Sequence, residues 1–184
     1  MGNDVGYTSG YNTVSRLFHW VTVLLVLVMI PVGLAMAQDL PKPWGDRLFV
    51  LHKGLGPMVL VVVLLRLGWR ALNPPPPLPA DLPPAQRLAA SAVHAGLYAA
   101  LIVMGVSGYV FVDAGDYPLE ALRALGIPPL IPKNERLSHA AEAVHVTTAF
   151  VLIALIAMHV GAAAFHGLVR RDGIVAPPRS APNL

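Results

Sequence analysis

Four long apolar stretches decide most of what this chain can become. A helix needs about 20 residues to cross roughly 30 Å of hydrocarbon. In lipid, every backbone polar group must be satisfied inside the protein. The stretches lie near residues 14–37, 48–72, 86–112 and 140–169. They predict an all-α integral membrane protein built as a four-transmembrane-helix bundle. Only 12% of the 184 residues are charged, against about 25% in a soluble domain. The expected solvent for most of the surface is lipid.

Residues 14–37 do not read as a cleavable signal peptide. The run is too long, holds His19 and Pro31, and lacks a small-residue cleavage site where one is expected. The short link over 38–47 predicts antiparallel neighbours. Residues 73–84 carry a proline run that predicts an extended spacer. The longer link over 113–138 predicts a short interfacial helix near 119–125. The reading is one transmembrane domain over 1–176, with a disordered tail over 177–184. Basic residues outnumber those on the opposite face by one on the side of the termini, which leans towards cytoplasmic termini.

There are no cysteines among the 184 residues. Disulfides, iron–sulfur clusters, thiolate metal sites and covalently attached haem are therefore excluded. The net charge of +3 is spread between the apolar runs, so no nucleic-acid footprint is visible. The chemistry falls to the seven histidines. Ionisable groups inside a membrane span are costly and mark function.

His145 and His159 carry the sharpest signal. Fourteen residues separate them, which leaves about 40° of drift and a rise of about 21 Å on one helix face. One ring then stands near each surface of the membrane. By chain direction, His19 shares the level of His159, and His52 shares that of His145. Two bis-histidine sites for b haem (iron protoporphyrin IX) are expected, His19–His159 and His52–His145, with no open position for oxygen. A single zinc centre cannot gather ligands from two levels about 20 Å apart.

Flanking residues suit planar cofactors. Gly54, Gly56, Gly105, Gly108 and Gly161 permit close approach or helix packing. Arg66 and Arg70, one turn apart, could hold propionates of the haem nearer the termini, and Arg47 and Lys53 those of the other, or all four could snorkel. Three readings stand open for His94, next to Tyr98: quinone pocket, haem ligand in place of His19, or a bond to a neighbour. His166 suits a hydrogen bond to a quinone carbonyl and proton delivery.

On these residues the chain resembles the bacterial cytochrome b561 family, including its small superoxide oxidases. The matching pieces are Ser15-Arg16-Leu17-Phe18-His19-Trp20, Leu51-His52 with its glycines, and Arg66-Leu67 and Arg70 before Asn73-Pro74-Pro75-Pro76-Pro77. They continue with His94 and Tyr98, then His145, His159 and His166. The resemblance implies a bundle in the bacterial inner membrane with two b haems, ligated by His19, His52, His145 and His159. It also implies a ubiquinone site involving His166, with His94 and Arg87 as further candidates. The implied activity is superoxide:ubiquinone oxidoreductase. The alternative is an electron-transfer subunit or membrane anchor that serves a partner dehydrogenase or hydrogenase. A homodimer and a non-redox transporter are the remaining readings. For superoxide, Lys42, Arg47, Lys53, Lys133 and Arg136 supply positive charge on the face opposite the termini.

Overall fold

The computed structural model describes residues 12–75 and 82–171. Five α-helices run in the order α1 (Thr13–Met36), α2 (Lys42–Leu72), α3 (Pro84–Ala114), α4 (Glu120–Ala124) and α5 (Glu135–Ala164). A π-helical turn, Phe165–Arg170, continues α5. The four long helices have the length and apolar composition to cross a membrane. No strand occurs among the described residues.

Two helices begin well before their expected starts, for reasons of capping. α2 begins at Lys42 rather than near 48, because Pro41 and Pro43 set helical φ at its entry. The link between α1 and α2 shrinks accordingly to residues 37–41. α5 begins at Glu135 rather than near 140. The Asn134 side chain accepts a hydrogen bond from the Leu137 amide at 3.0 Å, and Glu135 sits in the positive first turn. Asn12 caps α1 in the same way, accepting from the Ser15 amide at 2.8 Å. The short helix spans Glu120–Ala124, inside the expected 119–125. Gly126 stops it with φ 72°, a left-handed conformation that glycine adopts without penalty. The expected tail over 177–184 and much of the proline spacer lie outside the described residues.

Packing follows the chain. α1 lies against α2, α2 against α3, and α3 against α5. At one α2–α3 contact, a Cβ on Gly105 would stand 2.8 Å from Leu60 Cβ, so this glycine serves helix approach. The buried apolar layer is small: Val59, Val63, Ala100, Leu101 and Leu152, with Leu25, Val26 and Met29 of α1 against it. Leu24 and Leu27 remain 65% exposed, as lipid-facing residues do. α5 makes no comparable backbone packing with α1 or α2 among the described residues. The gap left between α5 and the α1–α2 pair is closed at mid-bundle by side chains, with Leu152 in the buried layer beside Val59 and Val63.

The link from α3 to α5 is fastened over one end of this gap. The buried Asp113 carboxylate accepts from the Leu130 and Ile131 amides at 2.9 and 2.8 Å and from the Tyr109 hydroxyl at 3.1 Å. The Asn134 amide donates to the Ala114 carbonyl. Tyr117 packs edge-on to Phe49 of α2 and beside Phe111 of α3. Bonds to a charged acceptor contribute roughly 1.5–3 kcal/mol each. Asp113→Ala should therefore lower stability by about 2–3 kcal/mol and expose residues 115–134 to protease. Thermal unfolding in detergent checks this, and an unchanged midpoint would count against the clasp.

Candidate functional site

Above and below that apolar layer, imidazoles meet across the gap at two levels. The rings of His19 on α1 and His159 on α5 face each other edge to face, with centroids 6.3 Å apart. His52 on α2 and His145 on α5 do the same at 6.0 Å. These are the two pairs expected from spacing and chain direction. A metal between two imidazoles, with bonds of about 2 Å on each side, puts ring centroids about 6 Å apart. Both pairs fit an iron between them.

The outer ring nitrogens of His52 and His145 differ in their surroundings. Nδ1 of His52 is buried with no hydrogen-bond partner, a costly state for a polar atom. His145 points its Nδ1 at the Met104 carbonyl at 2.9 Å. That bond occupies Nδ1 and leaves Nε2 for a metal, the usual outer support of a ligating histidine. Among the described residues, no three histidine or carboxylate side chains converge to hold an ion. Each pair instead offers two imidazole donors, a set that would suit a porphyrin iron.

His94 also lies beside His159, with ring centroids 5.3 Å apart against 6.3 Å for His19. His94 packs on His159 as a neighbour while His19 stands opposite. Arg66 sets a guanidinium nitrogen 3.1 Å from Nδ1 of His19. Arg66 and Arg70 both lie over the Tyr98 ring, at 5.4 and 6.0 Å. Trp69 donates to the Ser15 hydroxyl at 3.2 Å and ties α2 to α1 at this level.

One expected residue, Lys53, sits elsewhere than the simplest reading had it. Lys53 is not a surface cation. Its side chain is 4% exposed, and its ammonium donates to the Pro118 carbonyl and to Glu120 at 2.9 Å. The folded-back link reaches α2 there, and the Lys53 ammonium beside Glu120 holds that carboxyl below its usual range. Arg87 donates from Nε to the Leu82 carbonyl at 3.1 Å. His166 stands in the π-helical turn, beside Phe165 with ring centroids 5.7 Å apart. Such turns recur at functional sites. His139, at the start of α5, is largely exposed and 3.6 Å from Glu142.

The glycines that touch the histidine rings are not those beside the histidines in sequence. Nothing lies within 4 Å of a Cβ built on Gly54 or Gly161. A Cβ on Gly33 of α1 would stand 3.2 Å from His52, and one on Gly108 of α3 would stand 3.0 Å from His145. Gly33 escaped the sequence reading. Its signal was available: it follows His19 by fourteen residues, as His159 follows His145. The same interval joins His52 to Arg66 and His94 to Gly108. Halfway along, seven residues on, come Val26, Val59, Leu101 and Leu152, all in the apolar layer. The bundle thus has three layers: His19, Arg66, His94 and His159; then apolar residues; then Gly33, His52, Gly108 and His145.

A model of the prokaryotic cytochrome b561 family matches residues 10–177. Cytochrome b561 homolog 2 of Escherichia coli (strain K12) is 31% identical over 164 residues, covering 88% of this chain and 87% of that protein. Cytochrome b561 homolog 1 of the same organism is 27% identical over 158 residues, covering 84% and 88%.

The layer with Gly33 and Gly108 makes a direct prediction. Gly108→Val should push the His145 ring from its place and cut the b-type absorbance per chain to about half. Absorbance spectra of the purified protein check this, and full absorbance would show that the ring tolerates the added side chain.

Proposed function

We propose that this chain, which belongs to the prokaryotic cytochrome b561 family, holds two b haems and moves electrons from superoxide to ubiquinone. Membership makes it a multi-pass bacterial membrane cytochrome b that transfers electrons. The finer reading is one haem between His19 and His159 and another between His52 and His145, within a single transmembrane domain over 1–176. The observation that carries it is the pair of facing imidazole couples across the gap beside α5.

A b haem held by two histidines supplies a one-electron carrier with no vacant position for oxygen. The protein's own groups do the rest. His145 is held in orientation by the Met104 carbonyl. Gly33 and Gly108 leave the His52 and His145 rings room. Arg66 and Arg70, ordered on Tyr98, offer guanidinium groups to carboxylates at the level of the termini. His166, with Arg87 and His94 on the same side, would bind ubiquinone and deliver protons there. Two superoxide ions each release one electron and become dioxygen. One ubiquinone takes up both electrons with two protons and leaves as ubiquinol. Positive charge for superoxide on the far face would come from Lys42, Arg47, Lys133 and Arg136. Lys53 is neutralised by Glu120 and drops out of that set. The termini would face the cytoplasm.

A second reading is an electron-transfer subunit docked to a dehydrogenase or hydrogenase. Leu125 and Leu130, 74% and 67% exposed on the link between α3 and α5, favour a partner surface there.

Two experiments test the proposal. His52→Ala and His145→Ala should each lose the same haem, and His19→Ala and His159→Ala the other, while His94→Ala keeps both. Optical spectra of the variants decide, and loss of a haem in His94→Ala but not in His19→Ala would overturn the pairing. Purified protein given a superoxide source and a soluble ubiquinone should reduce the quinone. Absence of superoxide-dependent haem reduction would leave the docked-subunit reading in its place.

A further inference from the structure

The two histidine levels stand in different electrostatic surroundings. At the level of the termini, the Arg66 guanidinium is 3.1 Å from His19. Arg70 lies with it over Tyr98. Guanidinium groups keep their charge at any working pH. At the opposite level the groups against the rings are Gly33, Gly108, the Ser107 hydroxyl and the Met104 carbonyl, none of them charged. Lys53 follows His52 in sequence, yet its charge is matched by Glu120 at 2.9 Å. Asp113, five residues past Gly108 on α3, adds a buried carboxylate on that side.

Adding an electron to a site is favoured by positive charge nearby and opposed by negative charge. In a low-dielectric bundle this interaction is strong and weakly screened by salt. We propose that Arg66 and Arg70 make the His19–His159 site the higher-potential of the two, so that an electron entering the bundle settles on the side of the chain termini. Tyr98 acts as a positioning residue, holding both guanidinium groups over this level. The inference rests on the two-haem reading and adds a direction to it.

The test is redox titration of the full purified chain, followed in the haem absorbance bands. The haem that survives in His145→Ala should titrate at a higher midpoint than the one that survives in His159→Ala. Arg66→Gln should lower the higher midpoint of the two-haem chain by at least about 59 mV, a tenfold change for one electron, and leave the lower one in place. Should Arg66→Gln release a haem, Arg66→Lys and Arg70→Gln carry the test. The first keeps the charge and should keep the midpoint; the second should lower it. Two haems of equal potential, or the higher midpoint in His159→Ala, would overturn the inference while leaving two haems standing. An unmoved midpoint in Arg70→Gln, and in Arg66→Gln where that variant keeps both haems, would overturn the assigned cause. A wild-type chain that holds one haem, by haem content against chain concentration, contradicts the two-haem reading and this inference with it.

Discussion

Imidazole rings facing each other across a lipid-embedded gap are the constraint on which the rest of this structure turns. α5 packs on α3 and leaves α1 and α2 at a distance, yet His159 and His145 meet rings from those helices at 6.3 and 6.0 Å. Buried polar rings with no partner between them are expensive in hydrocarbon. An iron porphyrin at each level, as proposed, would be held by one nitrogen from each ring and would offset that expense. The small apolar layer of Val59, Val63, Ala100, Leu101 and Leu152 then acts as a spacer. It holds two polar levels apart and closes the bundle between them.

The heptad-like interval organises this. Steps of seven return a residue to nearly the same helix face. Each long helix places a functional group, an apolar residue and a second functional group along one line. The second level mixes two histidines with two glycines, and the first mixes three histidines with Arg66. Four helices of similar construction therefore produce two unlike sites. One is tight and nearly uncharged, and the other is lined by guanidinium groups. The clasp of Asp113 and Lys53 on the α3–α5 link closes the uncharged end.

Much of this was legible in the residues. Apolar runs long enough to span predicted four helices, and histidines within them at an interval of fourteen predicted two paired levels. Helix starts were less legible, since Pro41, Pro43 and Asn134 cap α2 and α5 beyond their apolar cores. Contacts across the bundle were legible only in part. Gly33 is remote from any histidine in sequence and touches His52 only once helices pack. Lys53 reads as an ordinary interfacial cation until the α3–α5 link folds back and buries it. His94 could not be told from His19 by depth alone, because both belong to one level and both rings lie near His159, at 5.3 and 6.3 Å.

The central claim is that each chain carries two porphyrins, each gripped by one facing couple of imidazoles. The most direct measurement is a pyridine haemochrome assay of purified protein against its chain concentration. The account requires two b haems per chain. One haem, or none in protein that is folded and helical, would contradict it.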